Sequence, residues 1–410
     1  MKRRWFKLDN VAKIFPPSSS KRDPKVFRFT CVLKDDINKD ILQEATNEAL
    51  EYFPNFSSIL KQGFFWHYLE TTNKKPIVKE ERKEICSPLY RKNKKKLLFR
   101  VNYYKNRINL EVYHALSDGT GALEFLKMIV NIYLNKKYNL GELINLDYDA
   151  SFEEKNADSF NKYYKSANLK NEVDEKAYKI KGEKFDDYRF KVITGTMNVK
   201  DMLDLAHNYH TTLTGLVVGI YIWAIRENMN LKDKDKPIYV DIPVNLRKYF
   251  KSQTARNFFS VLKLKYKGSD ELESIIKYVD DYLKKELKQE NLFKRMNKFA
   301  TIEHNFLVRL VPLFIKNIIL KFANYLSNKD LTTSVTNLGA VKIPDEIKDY
   351  IDSFEVYVST DKMQISLCSY LDKLNISFTS VFISTDIIKD FYRKLASFGI
   401  DITIISNKIE

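Results

Sequence analysis

The 410-residue sequence predicts an α/β protein of two halves, each a sheet carrying helices, and three observations lead there. A chain this long exceeds what one hydrophobic core covers, because single cores stop growing at roughly 250–300 residues. Short runs rich in β-branched and aromatic residues alternate with stretches of helical period. That logic recurs on both sides of a charged, weakly periodic segment at about 148–191. The boundary is placed near residue 180, giving halves of 1–180 and 181–410.

The order of elements follows from local signals. Residues 26–33 (VFRFTCVL) read as a largely buried strand, and Asn38 is placed to cap a helix over 39–52. Runs at 97–104 and 108–114 form a hairpin around Lys105, Asn106 and Arg107, which carries His114 to its end. Apolar residues Leu123, Leu126, Met128, Ile129, Ile132 and Tyr133 mark a helix over 120–134, so 114–119 is a strand-to-helix turn. In the second half a helix at 214–228 precedes a strand at 238–244. Alternating runs at 354–359, 363–370 and 374–382 read as an antiparallel meander, closed by an amphipathic helix over 386–398.

Composition narrows the class. Hydrophobic residues make up 44%, with 25 Tyr and 27 Phe, enough for packed cores and against a disordered chain. Cys31, Cys86 and Cys368 stand far apart with no C-x-x-C pair, which argues against a disulfide framework or zinc cluster and for a reducing, cytoplasmic setting. The first nine residues are basic, but Asp9 interrupts them and no apolar run follows, so a secretory signal is not expected. With 69 Lys+Arg against 53 Asp+Glu the net charge is +16, which favours anionic partners. Without zinc-finger, basic-zipper or aromatic RNA-binding signatures, nucleic acid is not expected among them, and the 92–96 run reads as solvated surface. The most apolar stretch, 306–326, is interrupted by Arg309, Lys316 and Lys321 and contains Pro312, so no transmembrane span is expected; a core or tunnel-lining helix is expected ahead of a membrane-surface one.

Five histidines limit the search for a general base. His207 and His210 lie three apart without acidic or cysteine partners, so no metal site is expected, and His67 and His304 carry no motif. His114 differs: Asp118 and Gly119 follow at fixed offsets in the turn after a strand. An imidazole titrates near operating pH and can take a proton from a hydroxyl or amine as it attacks a thioester, whose good leaving group makes an enzyme nucleophile unnecessary. Asp118 suits fixing the turn by pairing with an arginine, and Gly119 suits tight entry into the helix.

The segment HALSDG at 114–119 resembles the His-x-x-x-Asp-Gly motif of the chloramphenicol acetyltransferase-like superfamily, which includes condensation domains, wax ester synthases and alcohol acetyltransferases. The segment IPVNLR at 242–247, followed by RNFF at 256–259, is similar to the family's Pro-Val-x-x-Arg and Gly-Asn-like segments. The layout looks most like the alcohol acetyltransferase or polyketide-associated branch. Tyr113 stands where many condensation domains have a second histidine, and the Asp-Phe-Gly-Trp-Gly motif of plant acyltransferases is absent. The resemblance implies two similar halves, each a mixed sheet with flanking helices, around a central tunnel with His114 midway. It implies catalytic His114 and Asp118, supported by Gly119 and by Arg247 as the partner of Asp118. Ser334, Thr336 and Asn337 look like the family's channel-lining Ser-Asn-x-Gly stretch, where oxyanion stabilisation or tunnel lining is the implied role and a plain turn the alternative. It further implies acyl-coenzyme A as cosubstrate, no tightly bound cofactor, and a small or lipid-like alcohol or amine acceptor. A phosphopantetheine thioester on an acyl or peptidyl carrier protein is the alternative donor, and a noncatalytic member of the fold the remaining one.

Overall fold

The computed structural model describes residues 4–146, 148, 150–166, 175–186 and 189–407. Its architecture starts from Val26–Leu33, a strand of β-branched and aromatic residues buried along its whole length. This strand pairs antiparallel with Arg107–Tyr113, which pairs antiparallel with Phe99–Tyr104 across the two-residue turn Lys105 and Asn106. Lys105 takes φ 50°, the left-handed backbone that lets so short a loop follow the twist of its strands. Helix Lys39–Tyr52 starts where the Asn38 side chain accepts the amides of Asp40 and Ile41. Helix Gly119–Tyr138, buried over most of its length, packs beside it.

A second, seven-stranded sheet runs in the order Phe259–Tyr266, Ile238–Asn245, Thr333–Ala340, Met363–Tyr370, Lys373–Ser380, Lys191–Asn198, Thr403–Ser406. Thr333–Ala340 is parallel to both its neighbours while the other pairs are antiparallel, so the sheet is mixed. Helix Leu213–Glu227 packs against Leu272–Glu286 and Asp386–Ser397, completing an α/β half. Lys79–Glu80 adds a short parallel edge beside Phe99–Tyr104, and Trp5–Lys7, His67–Thr71 and Ser58–Gln62 form a separate small sheet. Among the described residues no helix is long and apolar enough to cross a membrane, and Cys31, Cys86 and Cys368 are free and buried.

Two expectations are corrected. The C-terminal runs do not form one three-stranded meander: Ile351–Val358 leaves it and pairs antiparallel with Val26–Leu33, becoming the edge of the first sheet. The switch is fixed just beyond the strand, where the Ser359 amide donates to the Val26 carbonyl (2.8 Å) and the Val26 amide donates to the Ser359 hydroxyl (3.0 Å). The apolar stretch at 306–326 is neither core nor cavity lining; it forms Phe306–Leu310 and Leu313–Lys329 on the surface, with Phe314, Ile318 and Phe322 exposed. Its polar side holds it down, since Lys316 Nζ donates to the Phe65 and Arg309 carbonyls and lies 3.5 Å from the centre of the Trp66 ring.

The two halves meet tightly at the start of helix Gly119–Tyr138. A Cβ on Gly121 would lie 2.1 Å from the Ala255 carbonyl oxygen and 2.5 Å from the Ser117 hydroxyl, which itself donates to that carbonyl at 2.6 Å. Gly121→Ala is therefore expected to lose about 1–3 kcal/mol of stability, as overpacking does; a lower urea midpoint by circular dichroism checks this.

Candidate active site

His114 is the first residue after strand Arg107–Tyr113, and its amide donates to the Lys25 carbonyl at 2.9 Å, extending the pairing by one residue. The imidazole stacks on Phe15 (centroids 4.5 Å apart), meets Phe27 edge-on at 5.0 Å and approaches Phe259 at 5.5 Å. This apolar cage withdraws the ring from water and lowers its pKa below the ordinary 6.5, although the nearby Asp118 charge acts in the opposite direction. The ring is thus a neutral base at pH 7.

The tautomer follows from its neighbours. His114 Nδ1 lies 3.1 Å from Asn257 Oδ1, and Asn257 Nδ2 donates to Asp9 Oδ2 at 3.1 Å. A carboxylate accepts only, so the Asn257 amide turns its nitrogen to Asp9 and its oxygen to His114. Nδ1 then carries the proton, and Nε2 keeps its lone pair. Asp9 is itself buried; its other oxygen accepts the Ala12 amide at 2.8 Å and Arg256 stands 3.7 Å away. Burial pushes its carboxyl up to about 6.

Asp118 caps helix Gly119–Tyr138 and is 4% exposed. Its Oδ1 accepts the Gly121 amide at 3.0 Å and its Oδ2 the Phe258 amide at 2.8 Å. Arg247 closes on the same carboxylate with two hydrogen bonds of 2.8 and 3.2 Å. The rest of the guanidinium donates to the carbonyls of Thr254 (2.8 and 3.1 Å) and Arg256 (2.6 Å). Both charges are therefore compensated inside the protein, and the pair joins the turn of the first half to the strand end of the second.

His114 and Asp118 border a cavity of about 290 Å³ walled by both halves. Phe15, Phe27, Phe29, His114, Asp118, Gly119 and Thr120 line one side; Pro243, Asn245, Phe259, Ser334, Thr336 and Asn337 line the other. The 334–339 stretch is not a plain turn but part of strand Thr333–Ala340, whose pairing becomes irregular between Asn337 and Ala340, with Gly339 at φ 79°. Ser334 donates to Gln364 at 2.7 Å; Asn337 donates to Thr214 at 2.9 Å and accepts the Gly339 amide at 2.7 Å. Thr336 lines the same wall. At the far wall, burial lowers the Lys362 ammonium to about 8.

The other histidines lie elsewhere. His67 is buried in the three-stranded sheet, its pKa pushed down to about 4 by burial; His207 and His210 are exposed; His304 stacks on Tyr164 at 3.9 Å. Among the described residues no group of three or more His, Cys, Asp or Glu side chains is arranged to hold a metal ion. Sequence reasoning passed over Asp9 and Asn257. Asn257 stands inside the RNFF segment that carries the resemblance, which was the available signal; Asp9 offered none, being close to His114 only in space.

No family model and no curated protein sequence matches the chain. Solved structures do. Polyketide synthase associated protein 5 from Mycobacterium tuberculosis superposes with a TM-score of 0.60 at 14% identity, over 95% of this chain and 96% of that one. A trichothecene 15-O-acetyltransferase from Fusarium sporotrichioides gives 0.64 at 11%, over 97% and 94%. TRI101 from F. sporotrichioides, complexed with coenzyme A and T-2, gives 0.66 at 12%, over 98% and 99%. The chain has the chloramphenicol acetyltransferase-like fold. In that two-lobed fold, the Asp118 and Arg247 pair spans the junction of the lobes beside His114.

Arg247→Ala would leave a buried carboxylate with amide partners alone and is expected to cost about 3–5 kcal/mol. Arg247→Lys should recover only part of this, because an ammonium cannot bridge both carboxylate oxygens and three carbonyl contacts together. Thermal and urea unfolding of the two variants against wild type measure both effects.

Proposed function

We propose that the protein is an acyltransferase that moves an acyl group, acetyl in the simplest case, from acyl-coenzyme A to an alcohol or amine. The observation that carries this reading is the His114 imidazole, held by Asn257 as the Nδ1–H tautomer with Nε2 unprotonated at a cavity between the lobes. Nε2 takes the proton of the acceptor as its oxygen or nitrogen attacks the thioester carbonyl. Negative charge then gathers on the carbonyl oxygen, and the Thr336 hydroxyl and the second N–H of the Asn337 amide are the groups of the 334–337 stretch available to donate to it. Collapse expels the thiolate, which recovers the proton from the imidazolium; no enzyme-bound acyl group forms. Asp118, with Gly119 and Arg247, fixes the turn, so the geometry of the base is set before substrate binds.

Two neighbours in the fold support the donor and acceptor classes: one is an O-acetyltransferase, another was crystallised with coenzyme A and T-2. The +16 charge suits the phosphates of coenzyme A and equally an acidic carrier protein bearing a phosphopantetheine thioester. The test is thiol release from a panel of acyl-coenzyme A donors with alcohol and amine acceptors. His114→Ala is expected to lower kcat by about 10²–10⁴-fold; equal turnover by both proteins would remove the general-base role. Turnover with a loaded carrier protein alone would assign the donor to the carrier.

The pH profile tests the tautomer argument. The base form of His114 is lost on protonation, and burial lowers its pKa, so kcat/KM should rise with pH along a limb whose midpoint lies below 6.5. Ionised Asp9 accepts from Asn257, and this support weakens as pH falls through about 6. Asn257→Ala should lower kcat about 10–100-fold with little change in KM, as loss of an orienting partner does. A change in KM alone would assign Asn257 to substrate binding.

A further inference from the structure

The surface helix Leu313–Lys329 is folded inside out. Leu313 and Lys316 are buried and Asn317, Leu320 and Asn324 half-buried, so this side faces the protein. The opposite side carries Phe314 (64% exposed), Ile318 (67%), Phe322 (60%), Tyr325 and Leu326. A surface helix of a water-bathed domain buries its apolar stripe and exposes its polar one. Phe64 and Phe65 extend the apolar surface where the Leu313 amide donates to the Phe64 carbonyl at 2.8 Å. Contiguous exposed apolar patches of this kind mark interaction sites.

Charge selects the occupant. From residue 304 to residue 329 there is no Asp or Glu, while Arg309, Lys316, Lys321 and Lys329 are basic. A second copy docked face to face would set the exposed Lys321 against a helix with no carboxylate from Leu313 to Lys329, Asp330 standing only at its C-terminal cap. A lipid surface needs no such pairing: apolar side chains enter the acyl boundary while lysines meet anionic headgroups. We propose that helix Leu313–Lys329, with the Phe64 and Phe65 loop, docks the protein peripherally on an anionic bilayer. The helix also packs against Phe15–Ser18, whose Phe15 stacks on His114, so docking sets the cavity next to the bilayer.

The experiment is sedimentation of the full chain with vesicles of phosphatidylcholine containing phosphatidylglycerol, and with phosphatidylcholine alone. Wild type should partition at least about tenfold more strongly onto the anionic vesicles, and added salt should weaken this. Combined Phe314→Glu, Ile318→Glu and Phe322→Glu should reduce binding by more than about 100-fold, given the buried apolar area removed. These side chains face solvent, so an unchanged circular dichroism spectrum and melting temperature are expected. Lys321→Glu with Lys329→Glu, which leaves the apolar face intact, should lose the preference for anionic vesicles. Wild type remaining in the supernatant with both vesicles, or the triple variant binding as wild type does, overturns the proposal. So does a wild-type dimer in sedimentation velocity that the triple variant dissolves without any vesicle binding, because a second copy would then cover the face. The readout needs no turnover and stands apart from the acyltransferase reading.

Discussion

The carboxylate of Asp118 is the point on which the arrangement depends. It accepts four hydrogen bonds: one from its own helix start at Gly121, one from the Phe258 amide and two from Arg247. Three of the four come from the other lobe, so the junction of the lobes adds to the first-lobe hydrogen bonds that hold the turn carrying His114. Burying an ion pair rarely adds net stability, because desolvation offsets the attraction. What this pair supplies is a single geometry. Arg247 is saturated by carbonyls of residues 254 and 256, and those residues bracket the approach to Asn257; the same contact that locks Asp118 therefore places the amide that orients His114.

Much of this was legible because it is local. Asn38 capping its helix, the hairpin into His114, and the turn opening a helix after Asp118 are encoded within a few residues, where side-chain hydrogen bonding and period decide the structure. The pairing of Ile351–Val358 was not legible. A strand's alternation reports which faces are buried and carries no address for the partner, and here the partner is Val26–Leu33, more than 300 residues earlier. Asp9 and Asn257 fail for the same reason: 248 residues separate them, and neither forms a motif with the other.

The helix Leu313–Lys329 shows a different limit. Its apolar composition was clear, but composition does not report which side of a helix turns inward. Which side turns inward depended on Trp66 and on the carbonyls of Phe65 and Arg309, which accept Lys316 as a buried anchor. A lysine can serve this way because its stem packs against apolar surface while the ammonium is satisfied by carbonyls and an aromatic face. With the polar side so occupied, the apolar side has only solvent or a partner to meet.

Burial acts on the two titrating groups of the site in opposite senses, and both effects serve one end. For His114 the charged form is the acid, so withdrawal from water favours the neutral base. For Asp9 the charged form is the base, so the same withdrawal raises its pKa to about 6. Near pH 7 the first is free to accept a proton and the second has already given one up. Asn257 between them needs that combination, an acceptor at its nitrogen and a donor at its oxygen, to hold one orientation. If both groups took a proton, the acceptor for the Asn257 nitrogen would weaken from carboxylate to carboxyl and His114 would lose its free base together. The aromatic cage and the buried carboxylate thus form one device: the cage keeps the imidazole neutral, and the carboxylate, through one amide, decides which of its nitrogens faces the cavity unprotonated.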